Sequence, residues 1–133
     1  MRYKEPTVFD APFKRLSYFI TFTEKDLLET LSNMGVQHYG LPYLETTLAT
    51  TFQKWEGEMR INVVYFPIPQ TAPCSAANIS HVVHEAVHVV EDVFDRMGEA
   101  APSEEFRAYL TGEVTKNLVG EFLNYIGVGA AHD

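Results

Sequence analysis

The sequence predicts a single α+β domain in which a β-rich first half precedes a helical second half. Its 133 residues lie near the commonest domain size, so one hydrophobic core must serve the whole chain, residues 1–133. Apolar residues recur with period two in three segments of the first half and with helical spacing in the last third. These observations predict the order β-α-β-β-α-α, with a small, mostly antiparallel sheet packed on two C-terminal helices.

The first two elements are a strand and a helix. Residues 14–22 alternate Leu16 and Tyr18 with smaller or polar neighbours, which is typical of a strand. Thr23 then offers a cap for a helix with apolar residues at helical spacing, and Gly35 provides a stop signal.

A hairpin and two helices complete the prediction. Two strand-like runs, residues 46–54 and 59–66, flank Gly57, which favours a tight connection between them. Residues 78–97 and 103–125 have helical spacing and are separated by a short segment with glycine and proline.

Composition excludes several classes of protein. Hydrophobic residues make up 46% and charged residues 21% of the chain, which argues against disorder. The net charge of -8 disfavours a nucleic-acid partner. Because there is no long apolar run and no signal-peptide pattern at the N-terminus, we expect a cytoplasmic protein without a membrane partner. The single cysteine, Cys74, cannot form an internal disulfide or a thiolate zinc cluster.

The most informative segment is an H-E-x-x-H match formed by His84, Glu85 and His88. In a chain with five histidines, about 0.02 such matches are expected by chance. Residues four apart lie one turn above each other on a helix, so both imidazoles can bind one ion. The adjacent glutamate would lie beside the water on that ion. The segment therefore predicts a catalytic Zn²⁺ site.

The same helix is predicted to be two-faced. A helical wheel gathers its histidines and acids within about 120°, and its apolar residues fill the other side. His81, one turn before His84, lies on the polar face and is a candidate for binding the substrate or the oxyanion, or for supporting the metal ligands. Histidine is a mediocre helix former and only weakly charged near neutral pH, so a purely solvating role is the less economical interpretation.

A third protein ligand must come from another element, and the next helix offers Glu105. Ala108 and Gly112 share its face and are small enough for the two helices to approach closely. Tyr109 would then stand over the same site, where either Tyr109 or His81 would stabilise the oxyanion.

Two other glutamates of this helix remain alternatives as ligands. Glu104, behind a Ser103 cap, also suits the positive end of the helix dipole, and Glu113 lies two turns further along.

The H-E-x-x-H pattern, followed by Glu105 and Tyr109, resembles the small zincin-type metallopeptidases common in phages and prophages, and more distantly the minimal gluzincins. The resemblance covers about residues 60–125. It implies zinc held by the two histidines and a downstream glutamate, with Glu85 as the catalytic carboxylate. It also implies that the strand at residues 59–66 pairs with an extended substrate, and that a phage-encoded chain would act in the host cytoplasm.

The leading functional hypothesis is therefore a zinc-dependent hydrolase acting on a peptide or protein. Zinc lowers the pKa of its bound water, and Glu85 is positioned by sequence to accept a proton and return it to the leaving amine. One alternative is a non-catalytic, zinc-stabilised binding or regulatory protein that acts on a host partner through its acidic surface. Another is an acidic interaction module without metal. Manganese or cobalt could occupy the site, although two histidines and a glutamate suit zinc.

Overall fold

The computed structural model describes residues 5–12, 16–33, 50–56, 59–68, 72–98 and 101–127, and for residues 50–56, 59 and 60 it describes the backbone alone. The predicted bounds at residues 13–15, 34–35 and 46–49 lie outside these ranges. The elements in chain order are β1 (Phe9–Asp10), β2 (Leu16–Thr21), α1 (Glu24–Asn33), β3 (Thr50–Glu56), β4 (Met59–Tyr65), α2 (Ala76–Met97) and α3 (Glu104–Tyr125).

The α+β class and the order of the main elements are confirmed, with the two-residue strand β1 as an addition. The sheet has the order β1-β2-β4-β3. β1 pairs antiparallel with β2, and β3 pairs antiparallel with β4. The two central strands, however, are parallel, with Leu16 opposite Arg60 and Thr21 opposite Tyr65. The sheet is therefore mixed, although two of its three pairings are antiparallel, which agrees with the mostly antiparallel sheet predicted from the sequence.

Helices cover both faces of the sheet, which explains why β2 is buried along its whole length. Leu16, Tyr18 and Ile20 belong to the main core cluster with α2 and α3. Phe19, between them, points to the other face and packs with Leu27 of α1. The sheet is thus the middle of three layers, and α2 and α3 form one outer layer.

The first helix begins as the sequence predicts. The Thr23 hydroxyl accepts a hydrogen bond of 3.0 Å from the backbone N–H of Asp26, which satisfies a free donor of the first turn. Within the described parts of the chain, no helix has an apolar stretch long enough to cross a lipid bilayer.

Candidate metal centre

α2 carries the H-E-x-x-H motif and has well-defined ends. It begins at Ala76, two residues before the predicted start, because Ser75 caps it by accepting a hydrogen bond of 3.2 Å from the N–H of Asn78. It ends at Met97 and is followed by Gly98, whose φ of 73° is the left-handed conformation typical of a helix stop. The motif lies in the middle of this helix, where the backbone is regular.

The helix brings its two motif histidines together. The Nε2 atoms of His84 and His88 are 3.2 Å apart. Two nitrogens bound at zinc distance to one tetrahedral ion lie roughly 3.3 Å apart, so this pair fits a shared ion. The same separation suits a hydrogen bond between two neutral imidazoles. Among the described residues, the histidines, cysteines and acids that could hold an ion form one group, namely His84, Glu85 and His88, with ligand atoms within 4.8 Å of one another.

The cluster lies at the boundary between solvent and core. The His84 side chain is 68% exposed, whereas that of Glu85 is 5% exposed. A Glu85 carboxylate oxygen lies 3.7 Å from Nε2 of His84. An ion held by the imidazoles would therefore face solvent on one side and a sheltered carboxylate on the other. Water or substrate would then reach such an ion from the solvent side.

His81 takes a different position from the two motif histidines. It is half-buried, and its ring centroid lies 6.1 Å from that of Phe66 at the end of β4. It is not a member of the cluster formed by His84, Glu85 and His88. His81 therefore packs against the edge of the core one turn away from the cluster.

The structure does not bring Glu105 to this cluster. The buried residues of α3 are Leu110, Val114, Leu118 and Phe122. Glu105, Ala108 and Gly112 are all exposed, and a Cβ added at Gly112 would meet no atom within 4 Å. The prediction that this face of α3 packs closely on α2 is therefore wrong. Glu105 lies five residues from Leu110, about 140° around the helix from it.

α3 contacts α2 through other residues, and Arg107 is one of them. Arg107 pairs with Glu91 of α2, and its guanidinium lies 5.2 Å from the centre of the Phe94 ring. A cation over an aromatic face is attractive, so this contact helps to dock the two helices.

The remaining candidates on α3 also lie outside the cluster. Glu104 is exposed in the first turn of α3, which Ser103 caps, so its position suits the helix dipole. Glu113 pairs with Lys116 at 3.2 Å. Tyr109 is 63% exposed and lines a cleft with Tyr18, a cleft that none of the three cluster residues lines. The expectation that Tyr109 stands over the metal site is not met.

The predicted substrate strand requires a correction. β4, which the sequence analysis assigned to pairing with substrate, is hydrogen-bonded to β2 on one side and to β3 on the other. Its backbone is therefore fully used within the sheet. In the described part of the chain, β3 is the edge strand on this side, and α2 also contacts it.

Sequence reasoning missed Asn62, a buried residue of β4. Its Nδ2 donates a hydrogen bond of 2.7 Å to the carboxylate of Asp92, one turn after His88 on α2. The signal was present in the sequence, because Asn62 is an amide in the otherwise apolar run from Ile61 to Phe66.

The chain was also compared with known proteins. It matches no protein-family model, no curated protein and no solved structure.

Proposed function

We propose that this protein is a zinc-dependent peptide hydrolase with His84 and His88 as metal ligands and Glu85 as the proton-transferring residue. The observation that carries the proposal is the 3.2 Å separation of the two Nε2 atoms with the Glu85 carboxylate in the same group. The H-E-x-x-H pattern and its resemblance to small zincin-type metallopeptidases support the same reaction class.

The two imidazoles supply part of the donor set used in peptide hydrolysis, and among the described residues only Glu85 lies in the same group. Zinc bound here would polarise a carbonyl group and make a water molecule more acidic. Glu85 would take the proton of the attacking water and give it to the departing amine. Its burial favours this role, because few solvent molecules compete for the carboxylate. Both imidazoles are exposed enough for a substrate to approach them.

The sheet edge next to α2 supplies a way to align a peptide. β3 has one side paired with β4, and an extended substrate could add to its other side through backbone hydrogen bonds. In this proposal the substrate pairs with β3, and not with β4, to which the sequence analysis assigned this role. Backbone pairing would hold the scissile bond beside α2 with little dependence on side chains.

The first test is the metal content of the purified chain, measured by mass spectrometry. The proposal expects about one zinc per chain in the wild type and its loss in His88→Ala. His81→Ala is the matched control, because it removes a histidine of the same helix that lies outside the cluster. Absence of metal from the wild type after incubation with zinc would refute the metal site.

A second candidate function is a binding protein that uses zinc only for structure. The acidic chain, with net charge -8, would then recognise a basic host partner. Zinc binding without hydrolysis of any member of a broad peptide library would favour this candidate over the enzyme.

A further inference from the structure

Asn62 is a polar side chain placed where the fold gives it no solvent. It lies on β4, a central strand, opposite Tyr18 of β2, and is 0% exposed. Val64 and Phe66, two and four residues further along the chain, belong to the core cluster shared with α2 and α3. Because side chains alternate along a strand, Asn62 faces the same helical layer. An amide therefore occupies a core position next to α2.

This amide is only half satisfied. Its Nδ2 donates to the Asp92 carboxylate at 2.7 Å, whereas its Oδ1 is buried and has no hydrogen-bond partner within the described structure. A buried carbonyl oxygen without a donor lowers the stability of the folded state. In the described structure the bond to Asp92 is what the amide gains at this core position, so Asp92 is the residue on which Asn62 acts.

The bond that Asn62 makes joins it to Asp92, which follows the histidine cluster on α2. Asp92 lies four residues after His88, and side chains at this spacing are neighbours on one helix face. α2 also packs on the sheet through apolar residues, such as Val82, Ala86 and Val89. Apolar contacts are not directional, so they fix the orientation of the helix less strictly than a hydrogen bond does. A short, directional bond to a buried strand residue can fix both the rotation of α2 and the place of the Asp92 carboxylate.

We infer that Asn62 is a positioning residue for the metal site: through its hydrogen bond it holds Asp92 beside His88, and so tightens metal binding. A carboxylate beside a ligating imidazole orients the ring and adds negative charge near the cation, and losing such support typically weakens metal affinity by about 10- to 100-fold. The inference rests on the proposed zinc site. It identifies Asn62 as a residue that supports metal binding although it does not contact the metal itself.

The experiment measures zinc affinity and unfolding of the metal-free chain in parallel. Asn62→Leu removes the bond, so we expect zinc to bind at least about 10-fold more weakly. It also removes the unpaired oxygen, and because losing the bond and losing that oxygen have opposite effects on stability, the urea midpoint of the metal-free chain should change little. The matched control is Thr21→Val, which removes a buried hydroxyl from β2. It should leave zinc affinity unchanged.

Two further variants make the result decisive. Asp92→Leu should weaken zinc binding at least as much as Asn62→Leu, because it removes the carboxylate itself. The double variant should bind zinc no more weakly than Asp92→Leu, because the two residues act through the same bond. If Asn62→Leu does not fold, the claim about stability is wrong, and Asp92→Leu then tests the claim about affinity. Wild-type zinc binding with unchanged affinity in Asp92→Leu or in a folded Asn62→Leu overturns this inference alone. Absence of zinc binding by the wild type overturns the proposed function as well.

Discussion

Asn117 on α3 donates a hydrogen bond of 2.8 Å to the hydroxyl oxygen of Tyr18 on β2, joining two residues 99 positions apart. Tyr18 is 2% exposed. Burial raises the pKa of its phenol, the Asn117 bond partly opposes this effect, and the negative charge of Glu113 adds to it. The pair therefore anchors α3 to the sheet through a phenol that resists ionisation.

This raised pKa predicts a loss of stability in alkaline solution. Below pH 10.0, the ordinary pKa of tyrosine, Tyr18 is protonated in both states and its contribution is constant. Above it, the unfolded chain binds fewer protons than the folded one, so the free energy of unfolding falls until the pH passes the folded pKa. Burial and the charge of Glu24 also raise the pKa of Tyr65, so Tyr65 adds to the same loss of stability.

Urea unfolding at about pH 9 and about pH 11 measures this effect. Tyr18→Phe and Tyr65→Phe should each reduce the difference in free energy between the two pH values. An alkaline difference that neither substitution reduces would contradict the prediction.

Glu85→Gln should retain zinc and the fold but lower the rate of peptide hydrolysis by at least about 100-fold, because the amide keeps the shape and loses the proton acceptor. Zinc content and turnover are measured on the same sample. Glu91→Gln is the control, since Glu91 lies on the same helix but pairs with Arg107 outside the cluster. Equal turnover in wild type and Glu85→Gln would remove Glu85 from the mechanism.

Gly112→Ala should raise the free energy of unfolding by about 0.5–1 kcal/mol, because alanine is the better helix former and its Cβ meets nothing within 4 Å. Gly98→Ala should lower it by about 1 kcal/mol, since φ of 73° disfavours a residue with a Cβ. Chemical denaturation measures both. Destabilisation by Gly112→Ala would instead support the close helix contact expected from sequence.

Glu105→Ala tests whether Glu105 is a zinc ligand, as the sequence suggested, or lies away from the metal site, as in the structure. A third zinc ligand should be indispensable, and its loss should weaken zinc binding by orders of magnitude. Since Glu105 is exposed on the face of α3 away from its buried residues, we expect near-wild-type affinity, measured by competition with a chelating dye. A large loss of affinity would show that α3 reaches the metal in the functional protein.

The sequence by itself determined the features that depend on neighbours along the chain. The pairing of His84 and His88 follows from helical spacing alone, which is why it was predictable without knowledge of the fold. The caps at Thr23 and Ser103 are equally local, since each hydroxyl accepts from an N–H three residues later.

Only the tertiary structure decided which surfaces of these elements meet. Apolar residues lie around much of α3, and Ala108 and Tyr109 are exposed, so periodicity could not select the buried face or exclude Glu105 from the cluster. The edge position of β3 likewise depends on the parallel pairing of β2 with β4, whose partners are 44 residues apart, as Leu16 and Arg60 are. Such contacts form because layers must bury their apolar faces together, and no local spacing encodes which partner each layer finds.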